Sequence, residues 1–174
     1  GGRLTGDNTD VAGLLEALTP LGAKGPWLVA GTGGSARAVA AAARERSTTL
    51  LVRSRDPARA VEFAAWARAI GVDAVADDGR PVRTAFNATP LGLKADDPWP
   101  FPEERLTGCR TALDLVYRPG GTAWVRACRS RGMRAADGRA MLVAQGAYAL
   151  ERFFPGVVAP REVMAAAVRR ALGE

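Results

Sequence analysis

Histidine is absent from this sequence of 174 residues, and cysteine is rare. Without an imidazole the chain can build neither a Ser-His-Asp triad nor a metal site with histidine ligands of its own. The two cysteines, Cys109 and Cys128, are too far apart along the chain for a C-x-x-C redox or metal motif. We therefore expect two buried free thiols and no metal centre.

Long apolar runs are also missing, although the hydrophobic share is 48%. No stretch approaches the length needed to span a bilayer, and no apolar signal region follows the first three residues. The sequence thus predicts a cytoplasmic protein with no membrane partner. A chain of 174 residues suits one domain with its own core.

Lysine is nearly absent, and arginine carries most of the formal net charge of +6. Only Lys24 and Lys94 are lysines, and the arginines are scattered among alanines. The sequence has no basic block and none of the interleaved aromatics that single-strand binders use. The charge therefore predicts no nucleic-acid partner, and a codon bias toward arginine and alanine accounts for it.

A glycine cluster follows the apolar run of residues 27–30 and precedes an alanine-rich helical pattern. A strand, a tight glycine turn and a helix start form the dinucleotide-binding fingerprint, here as G-x-G-x-x-A. Gly31 permits the turn, Gly33 leaves room for a pyrophosphate, and Ala36 lets the helix pack closely. The helix start favours an anion. Alone, the motif leaves open a generic glycine-rich turn. The candidate cofactor-binding residues here are Gly31, Thr32, Gly33, Gly34, Ser35 and Ala36.

The next predicted strand, residues 48–52, runs into arginines rather than into a carboxylate. In NAD-binding domains an Asp or Glu at this point accepts a hydrogen bond from the ribose 2′-hydroxyl. Guanidinium groups suit a 2′-phosphate instead, through bidentate charge-assisted hydrogen bonds. We therefore predict NADP rather than NAD, bound by Arg53, Arg55 and Arg59. The alternative is that these arginines are solvated surface charges.

Short strand patterns alternate with helical patterns along the whole chain, which is typical of βαβ units. The predicted fold class is α/β, with a doubly wound, mostly parallel, Rossmann-like sheet and helices on both faces. Thr9 or Asp10 is the predicted N-cap of the first helix. Predicted strands are residues 27–30, 48–52, 72–76, 84–89, 111–117 and 133–135; predicted helices follow Thr9 and span 35–46, 57–70, 122–131, 140–154 and 160–172, with one helical turn at 102–106.

Five motifs in this order resemble shikimate dehydrogenases. They are Gly6-Asp7-Asn8-Thr9-Asp10, the turn at 31–37, Asn87-Ala88-Thr89-Pro90-Leu91-Gly92, Asp114-Leu115-Val116-Tyr117 and the segment 137–147. The resemblance covers nearly the whole chain. It implies NADP-dependent reduction of 3-dehydroshikimate to shikimate, on the route to chorismate and the aromatic amino acids.

The resemblance also implies roles for individual residues. Asp10 corresponds to the acid of a catalytic Lys–Asp pair and, with Tyr117 and Gln145, to a substrate contact. Ser54, Arg55 and Arg59 match a stretch that binds the adenine side and the 2′-phosphate. Further cofactor-binding candidates are Asn87, Thr89, Leu115, Gly138 and Met141, the last four as neighbours of the nicotinamide.

Without the resemblance, each of these residues has an ordinary structural explanation. Asp10 could be only a helix N-cap, and Asn87 and Thr89 could cap a strand end. Gln145 could be an ordinary polar residue of a helix. Tyr117 could be a packed aromatic with a solvated hydroxyl, and Met141 a core residue.

The resemblance further implies a substrate-binding domain ahead of the Asn-Thr-Asp motif, with a catalytic lysine and a Ser-x-Ser pair. No Ser-x-Ser occurs in this sequence. We interpret residues 1–174 as one NADP-binding Rossmann domain. In this interpretation the helices of 1–22 and 140–174 link to, or pack against, a substrate domain. We expect the chain to bind NADP(H) and to turn over shikimate poorly or not at all. A second copy of the chain, forming a homodimer, is one candidate partner for its exposed faces.

Three other functions remain open at this point. One is a non-catalytic NADP-binding or sensing domain. Another is a quinate/shikimate relative that uses NAD. NAD binding favours a negative charge after the second strand, whereas the arginines there are positive. The third is a methyltransferase using S-adenosylmethionine, which also favours an acid after the second strand.

Overall fold

Six strands form one all-parallel sheet in the computed structural model, which describes residues 6–174. In sheet order the strands are β3, β2, β1, β4, β5 and β6, the order of a doubly wound dinucleotide-binding sheet. The predicted fold class is confirmed. The strands are β1 (Trp27–Ala30), β2 (Leu50–Arg53), β3 (Ala74–Ala76), β4 (Thr84–Asn87), β5 (Thr111–Asp114) and β6 (Arg134–Ala136).

Six α-helices and one 3₁₀ turn connect and flank the strands of the described residues. Each predicted element is present, with bounds shifted by up to three residues. The 3₁₀ turn, Glu103–Leu106, is the helical turn predicted in the proline-rich loop. The helices are α1 (Asp10–Leu18), α2 (Gly34–Glu45), α3 (Pro57–Ala69), α4 (Ala123–Ser130), α5 (Arg139–Phe153) and α6 (Arg161–Ala171).

Side chains of the central strands alternate between two apolar layers, as the period of two in a strand requires. On β1, Trp27 and Val29 pack into the layer covered by α1, α2 and α3, while Leu28 and Ala30 face the layer under α4. Strand β1 is buried on both faces. All its side chains therefore contribute to a core, and only its carboxyl end remains available for chemistry.

Strands β4 and β5 end earlier than predicted because their last side chains bend the chain. The Oδ1 of Asn87 accepts from the N–H of Thr89 at 3.0 Å, and the Oδ1 of Asp114 accepts from the N–H of Val116 at 3.1 Å. Such contacts two residues onward form Asx turns, which compete with strand pairing. The predicted extension of β5 to Tyr117 was therefore wrong.

The N-cap of α1 is Thr9, one of the two residues predicted, but the side-chain hydrogen bond at this helix start comes from a different residue. Thr9 occupies the N-cap position without a side-chain cap, and Asp10 is the first helical residue. The Oδ1 of Asn8 instead accepts from the N–H of Asp10 at 2.9 Å. Asn8, which precedes the N-cap, thus satisfies the first free N–H of the helix, and the Asp10 carboxylate is left free for another role.

Helix α1 docks on α5 through a glycine. A Cβ on Gly13 would lie 2.7 Å from the backbone nitrogen of Gln145, so a larger residue cannot hold this approach. Helix α6 has no buried residue and is joined to α5 by the ion pair between Arg161 and Glu151 at 2.7 Å.

Cys109 and Cys128 are both buried and free, as predicted. Burial raises the pKa of the Cys128 thiol to about 12, with a further contribution from Cys109. Both thiols therefore remain protonated at neutral pH.

Among the described residues, none of the helices combines the length and the apolar character that a membrane crossing requires.

Candidate functional site

The carboxyl edge of the sheet gathers the polar residues that the sequence places at strand ends. Strand β1 pairs with β2 on one side and with β4 on the other, so that Ala30 has Arg53 and Asn87 as its partners. The strand order reverses between β1 and β4, and ligands of open α/β sheets bind at this switch point.

Gly31 makes the turn out of β1 and has no room for a side chain. Its φ is +108°, and an added Cβ would lie 2.5 Å from the carbonyl oxygen of Ala88. The N–H of Gly31 donates to the carbonyl of Arg53 at 2.9 Å, and the N–H of Ala88 donates to Ala30 at 2.9 Å. The turn is thus fixed to both neighbouring strands.

Gly33 and Gly34 face open space at the start of α2. A Cβ on either glycine would meet no atom within 4 Å, and both residues are exposed. Gly33 is the N-cap residue of α2, and no side chain caps the free N–H groups that follow it. Ser35 is also exposed, while Ala36 is fully buried against the sheet. An uncapped helix start below empty space suits an anion.

Two arginines follow β2, whose end is hydrogen-bonded to this turn: Arg55 lies in the loop and Arg59 in the first turn of α3. Arg55 and Arg59 are exposed, and neither enters an ion pair within residues 6–174. Asp56 is occupied because its Oδ1 accepts from the N–H of Ala58 at 2.9 Å and caps α3. The Oγ of Ser54 accepts from the N–H of Asp56 at 3.3 Å. The two arginines are therefore exposed, whereas the Asp56 carboxylate is hydrogen-bonded to the start of α3.

Arg53 is not part of that free pair. Its guanidinium lies 3.2 Å from Asp77, which also accepts from Arg105 at 2.7 Å. Burial raises the pKa of Asp77, but hydrogen bonds from Arg105, Gly79 and Arg53 together bring it below its usual value. Asp77 therefore already pairs with Arg53, and Arg55 and Arg59 are the arginines after β2 that form no ion pair among the described residues.

Asn87 organises the loop that follows β4. Its side chain is fully buried and makes four contacts. The Nδ2 donates to Leu91 O and to Asp114 Oδ1, both at 2.8 Å. The Oδ1 accepts from the N–H of Thr89 at 3.0 Å and from its hydroxyl at 2.6 Å. All its capacity is used inside the protein. Asn87 can therefore affect a cofactor only through the loop.

Asp114 ends β5 and is fully buried beneath the same loop. Three donors face it: Asn87 Nδ2, the N–H of Val116, and the hydroxyl of Thr122 at 2.7 Å. Burial raises the pKa of this carboxyl to about 6, against the effect of those hydrogen bonds. Three neutral donors thus satisfy the Asp114 carboxyl in a buried position.

Leu115 and Gly138 bring the ends of β5 and β6 together. A Cβ on Gly138 would lie 2.4 Å from the carbonyl oxygen of Leu115. The N–H of Leu115 donates to Asn87 O at 2.9 Å, so this contact continues into the Asn87 loop. Met141, on the first turn of α5, is partly buried against the apolar layer that α1 covers.

The three predicted substrate residues lie on three separate elements. Asp10 opens α1, and its carboxylate enters no ion pair or hydrogen bond with another described residue. Gln145 lies on α5 against Gly13, one turn of α1 beyond Asp10. Tyr117 lies in the loop after β5 and is 38% exposed. The fold brings Asp10 and Gln145 to one helix contact and leaves Tyr117 on a neighbouring loop.

Sequence reasoning missed the partners that hold the site together. Asp114 was named only as the first residue of one motif, with no role assigned to it, and Thr122 only as the start of a predicted helix. The available signal was an aspartate inside the apolar run Leu113-Asp114-Leu115-Val116. A buried carboxylate needs donors, so that position should have predicted a partner network.

The fold and this edge define a Rossmann-like α/β domain of the nucleotide-binding type, with a glycine turn open to a ligand. Comparisons with known proteins then give the relatives. Residues 138–169 match the family described as "Shikimate 5'-dehydrogenase C-terminal domain". A shikimate dehydrogenase (NADP(+)) of Thermus thermophilus is 43% identical over 99% of this chain. The chain is therefore similar to a shikimate dehydrogenase over nearly its whole length.

Solved structures show the same similarity. A shikimate 5-dehydrogenase of Thermus thermophilus in complex with NADP(H) and shikimate matches 98% of this chain, with a TM-score of 0.84 and 41% identity. A quinate dehydrogenase of Corynebacterium glutamicum in complex with NAD matches 97%, with a TM-score of 0.84 and 30% identity. The chain spans 65% of the curated Thermus thermophilus enzyme, 65% of the solved Thermus thermophilus chain and 64% of the quinate dehydrogenase.

Proposed function

We propose that this chain binds NADP(H) at the switch point, with the pyrophosphate on the turn of residues 31–36. One observation carries the proposal: β1 leads into an uncapped helix start with side-chain-free glycines, and its neighbour β2 leads into two exposed arginines that form no ion pair among the described residues. The glycines leave the space that a pyrophosphate needs, and a Cβ at Gly33 would enter it. Arg55 and Arg59 supply positive charge for the 2′-phosphate, with Ser54 on the adenosine side.

The nicotinamide end of the cofactor lies, in this proposal, at the ends of β4, β5 and β6. Thr89 and Leu115 border it from the two loops, and Gly138 and Met141 from the start of α5. Asn87 contributes through the loop it holds, since its own donors and acceptors are all occupied.

We propose further that the chain serves the NADP-dependent interconversion of 3-dehydroshikimate and shikimate. Bound NADPH supplies the hydride. Asp10 is the catalytic acid–base partner, and Tyr117 and Gln145 contact the substrate. A free carboxylate at the start of α1 suits this role because no other described side chain competes for it. The two relatives from Thermus thermophilus have names that fit this activity.

The helices at both ends of the chain are proposed to contact a substrate-binding region. Helix α6 buries no residue, and large apolar side chains near it are exposed, among them Phe153, Val158 and Val163. Such a patch is typical of an interface. Residues 1–5 of the proposed N-terminal linking segment lie outside the described residues. Correct positioning of a substrate can lower an activation barrier by several kcal/mol. Without the proposed substrate-binding region, we expect this chain to form little or no NADPH when shikimate is added.

The cofactor proposal is tested by removing the two free guanidiniums, as Arg55→Ala/Arg59→Ala. We expect calorimetric NADP⁺ affinity to fall at least about tenfold, because charge-assisted hydrogen bonds are lost. NAD⁺ affinity should change less than about threefold, since NAD⁺ has no 2′-phosphate.

A matched control removes the same charge from the opposite edge of the sheet. Arg46 follows α2 and Arg83 precedes β4, and both are exposed. Arg46→Ala/Arg83→Ala should leave the preference for NADP⁺ over NAD⁺ intact. Equal weakening of NADP⁺ and NAD⁺ by the Arg55/Arg59 variant, or loss of the preference in the control, would contradict the proposed phosphate site.

A further inference from the structure

Asp114 connects two loops that border the proposed nicotinamide end, although it contacts neither solvent nor open space. Its Oδ1 accepts from Asn87 Nδ2 at 2.8 Å and from the N–H of Val116 at 3.1 Å. Its Oδ2 accepts from Thr122 Oγ1 at 2.7 Å. One buried carboxylate therefore holds the loop after β4, the loop after β5 and the start of α4.

The loop after β4 lies directly against the glycine turn. Ala88 contacts Gly31 so closely that a Cβ there would be 2.5 Å from its carbonyl oxygen, and 3.2 Å from Thr89 Cγ2. The hydroxyl of Thr89 is fixed by Asn87 Oδ1 and accepts from the N–H of Leu91 at 3.2 Å. A shift of Asn87 would therefore move Thr89 relative to the turn.

The loop after β5 depends on the same carboxylate. The N–H of Val116 donates to Asp114, and the carbonyl of Val116 accepts from the N–H of Gly138 at 3.2 Å. Leu115 contacts Gly138 with no space for a side chain between them. The position of α5, which begins at Arg139, thus follows from the position of this loop.

We propose that Asp114 is a positioning residue for the nicotinamide half of NADP(H), acting through Asn87 and Thr122. This inference rests on the proposed function and adds a residue to it that the sequence motifs did not assign. Three neutral donors on one buried carboxylate form a network in which each donor has a single geometry. Arg55 and Arg59, proposed for the adenosine half, follow β2 on the other side of β1 and form no hydrogen bond with this network.

The test separates the two halves of the cofactor. Calorimetry gives the Kd for NADP⁺ and for 2′,5′-ADP, which carries the adenosine and its 2′-phosphate but no nicotinamide. Asp114→Asn replaces one acceptor oxygen by an NH₂ that faces donors. We expect NADP⁺ to bind at least about fivefold more weakly, and 2′,5′-ADP to bind within about twofold of the unmodified chain.

A second pair of variants keeps the test decisive should Asp114→Asn fail to fold. Thr122→Val removes the hydroxyl that donates to Asp114, and Thr122→Ser retains it. Thr122→Val should weaken the binding of NADP⁺ but not that of 2′,5′-ADP. Thr122→Ser should bind both with the Kd values of the unmodified chain. Thr84→Val is the control. It removes a buried hydrogen bond at the amino end of β4, in which the Thr84 hydroxyl donates to the carbonyl oxygen of Lys24 at 2.8 Å. It should leave both affinities unchanged.

Unchanged NADP⁺ affinity in Asp114→Asn and Thr122→Val would overturn the inference. Equal weakening of NADP⁺ and 2′,5′-ADP would also overturn it, because the network would then have only a general structural role. Absence of NADP⁺ binding by the unmodified chain would overturn the proposed function itself, and this inference with it.

Discussion

At the scale of single residues, two glycines of one motif serve different purposes. Gly31 is required by the protein itself, because its φ of +108° and its contact with Ala88 exclude a side chain. Gly33 has an extended backbone with a φ of −85°, and a Cβ there would meet nothing. The first glycine stabilises the fold, whereas the second leaves space that only a ligand would use.

This difference predicts opposite effects of the same substitution. Gly31→Ala should lower the free energy of unfolding by about 2–4 kcal/mol, from backbone strain and overlap with Ala88. Gly33→Ala should lower it by less than about 1 kcal/mol and weaken NADP⁺ binding about tenfold or more. Urea unfolding and calorimetry measure both quantities. A Gly31→Ala variant as stable as the unmodified chain, or unweakened NADP⁺ binding by Gly33→Ala, would contradict this division.

The residue scale also marks the limit of prediction from sequence. The position of Arg55 and Arg59 near the carboxyl end of β2 could be predicted, because spacing along the chain determines which strand they follow. The pairing of Arg53 with Asp77 could not, because it depends on β2 and β3 being neighbours with Val52 opposite Ala76. Asp114 and Thr122 form a similar contact between residues eight positions apart.

At the scale of elements, hydrophobic periodicity and the positions of glycine and proline predicted every helix and strand of the described residues. Pro57 in the first turn of α3 and Gly71 after its end gave accurate bounds, because each restricts the backbone locally. The bounds of β4 and β5 were wrong because Asn87 and Asp114 end those strands through their own side chains. A polar residue at a strand end is therefore better interpreted as a turn than as a continuation.

Helix α1 offers a prediction at this scale, through its approach to α5. Gly13→Ala places a Cβ 2.7 Å from a backbone atom of Gln145, which cannot move without its helix. Helix propensity favours alanine by up to about 1 kcal/mol, but overpacking costs about 1–3 kcal/mol. We expect a net loss of about 1–2 kcal/mol in the free energy of unfolding.

The matched control for this contact lies one residue further along α5. A Cβ on Gly146 would meet only the flexible end of Met164, at 3.3 Å from Cε. Gly146→Ala should therefore leave stability unchanged or raise it. Equal losses for Gly13→Ala and Gly146→Ala in urea unfolding would show that the approach of α1 to α5 is not set by Gly13.

At the scale of the whole molecule, the sheet order explains why residues far apart in sequence form one site. Strands β1, β2, β4, β5 and β6 all direct their carboxyl ends to the same edge. The motifs near residues 31, 55, 87, 114 and 138 follow those five ends. The parallel arrangement was predictable from the alternation of strands and helices, and the clustering of the motifs follows from it.

The most direct test of this account compares NADP⁺ with NAD⁺ on the unmodified chain. Calorimetry should give a Kd for NADP⁺ at least about tenfold lower than for NAD⁺. The advantage should shrink as salt is added, because the guanidiniums are exposed and screened. Equal or tighter binding of NAD⁺ would contradict the assignment of the 2′-phosphate to Arg55 and Arg59.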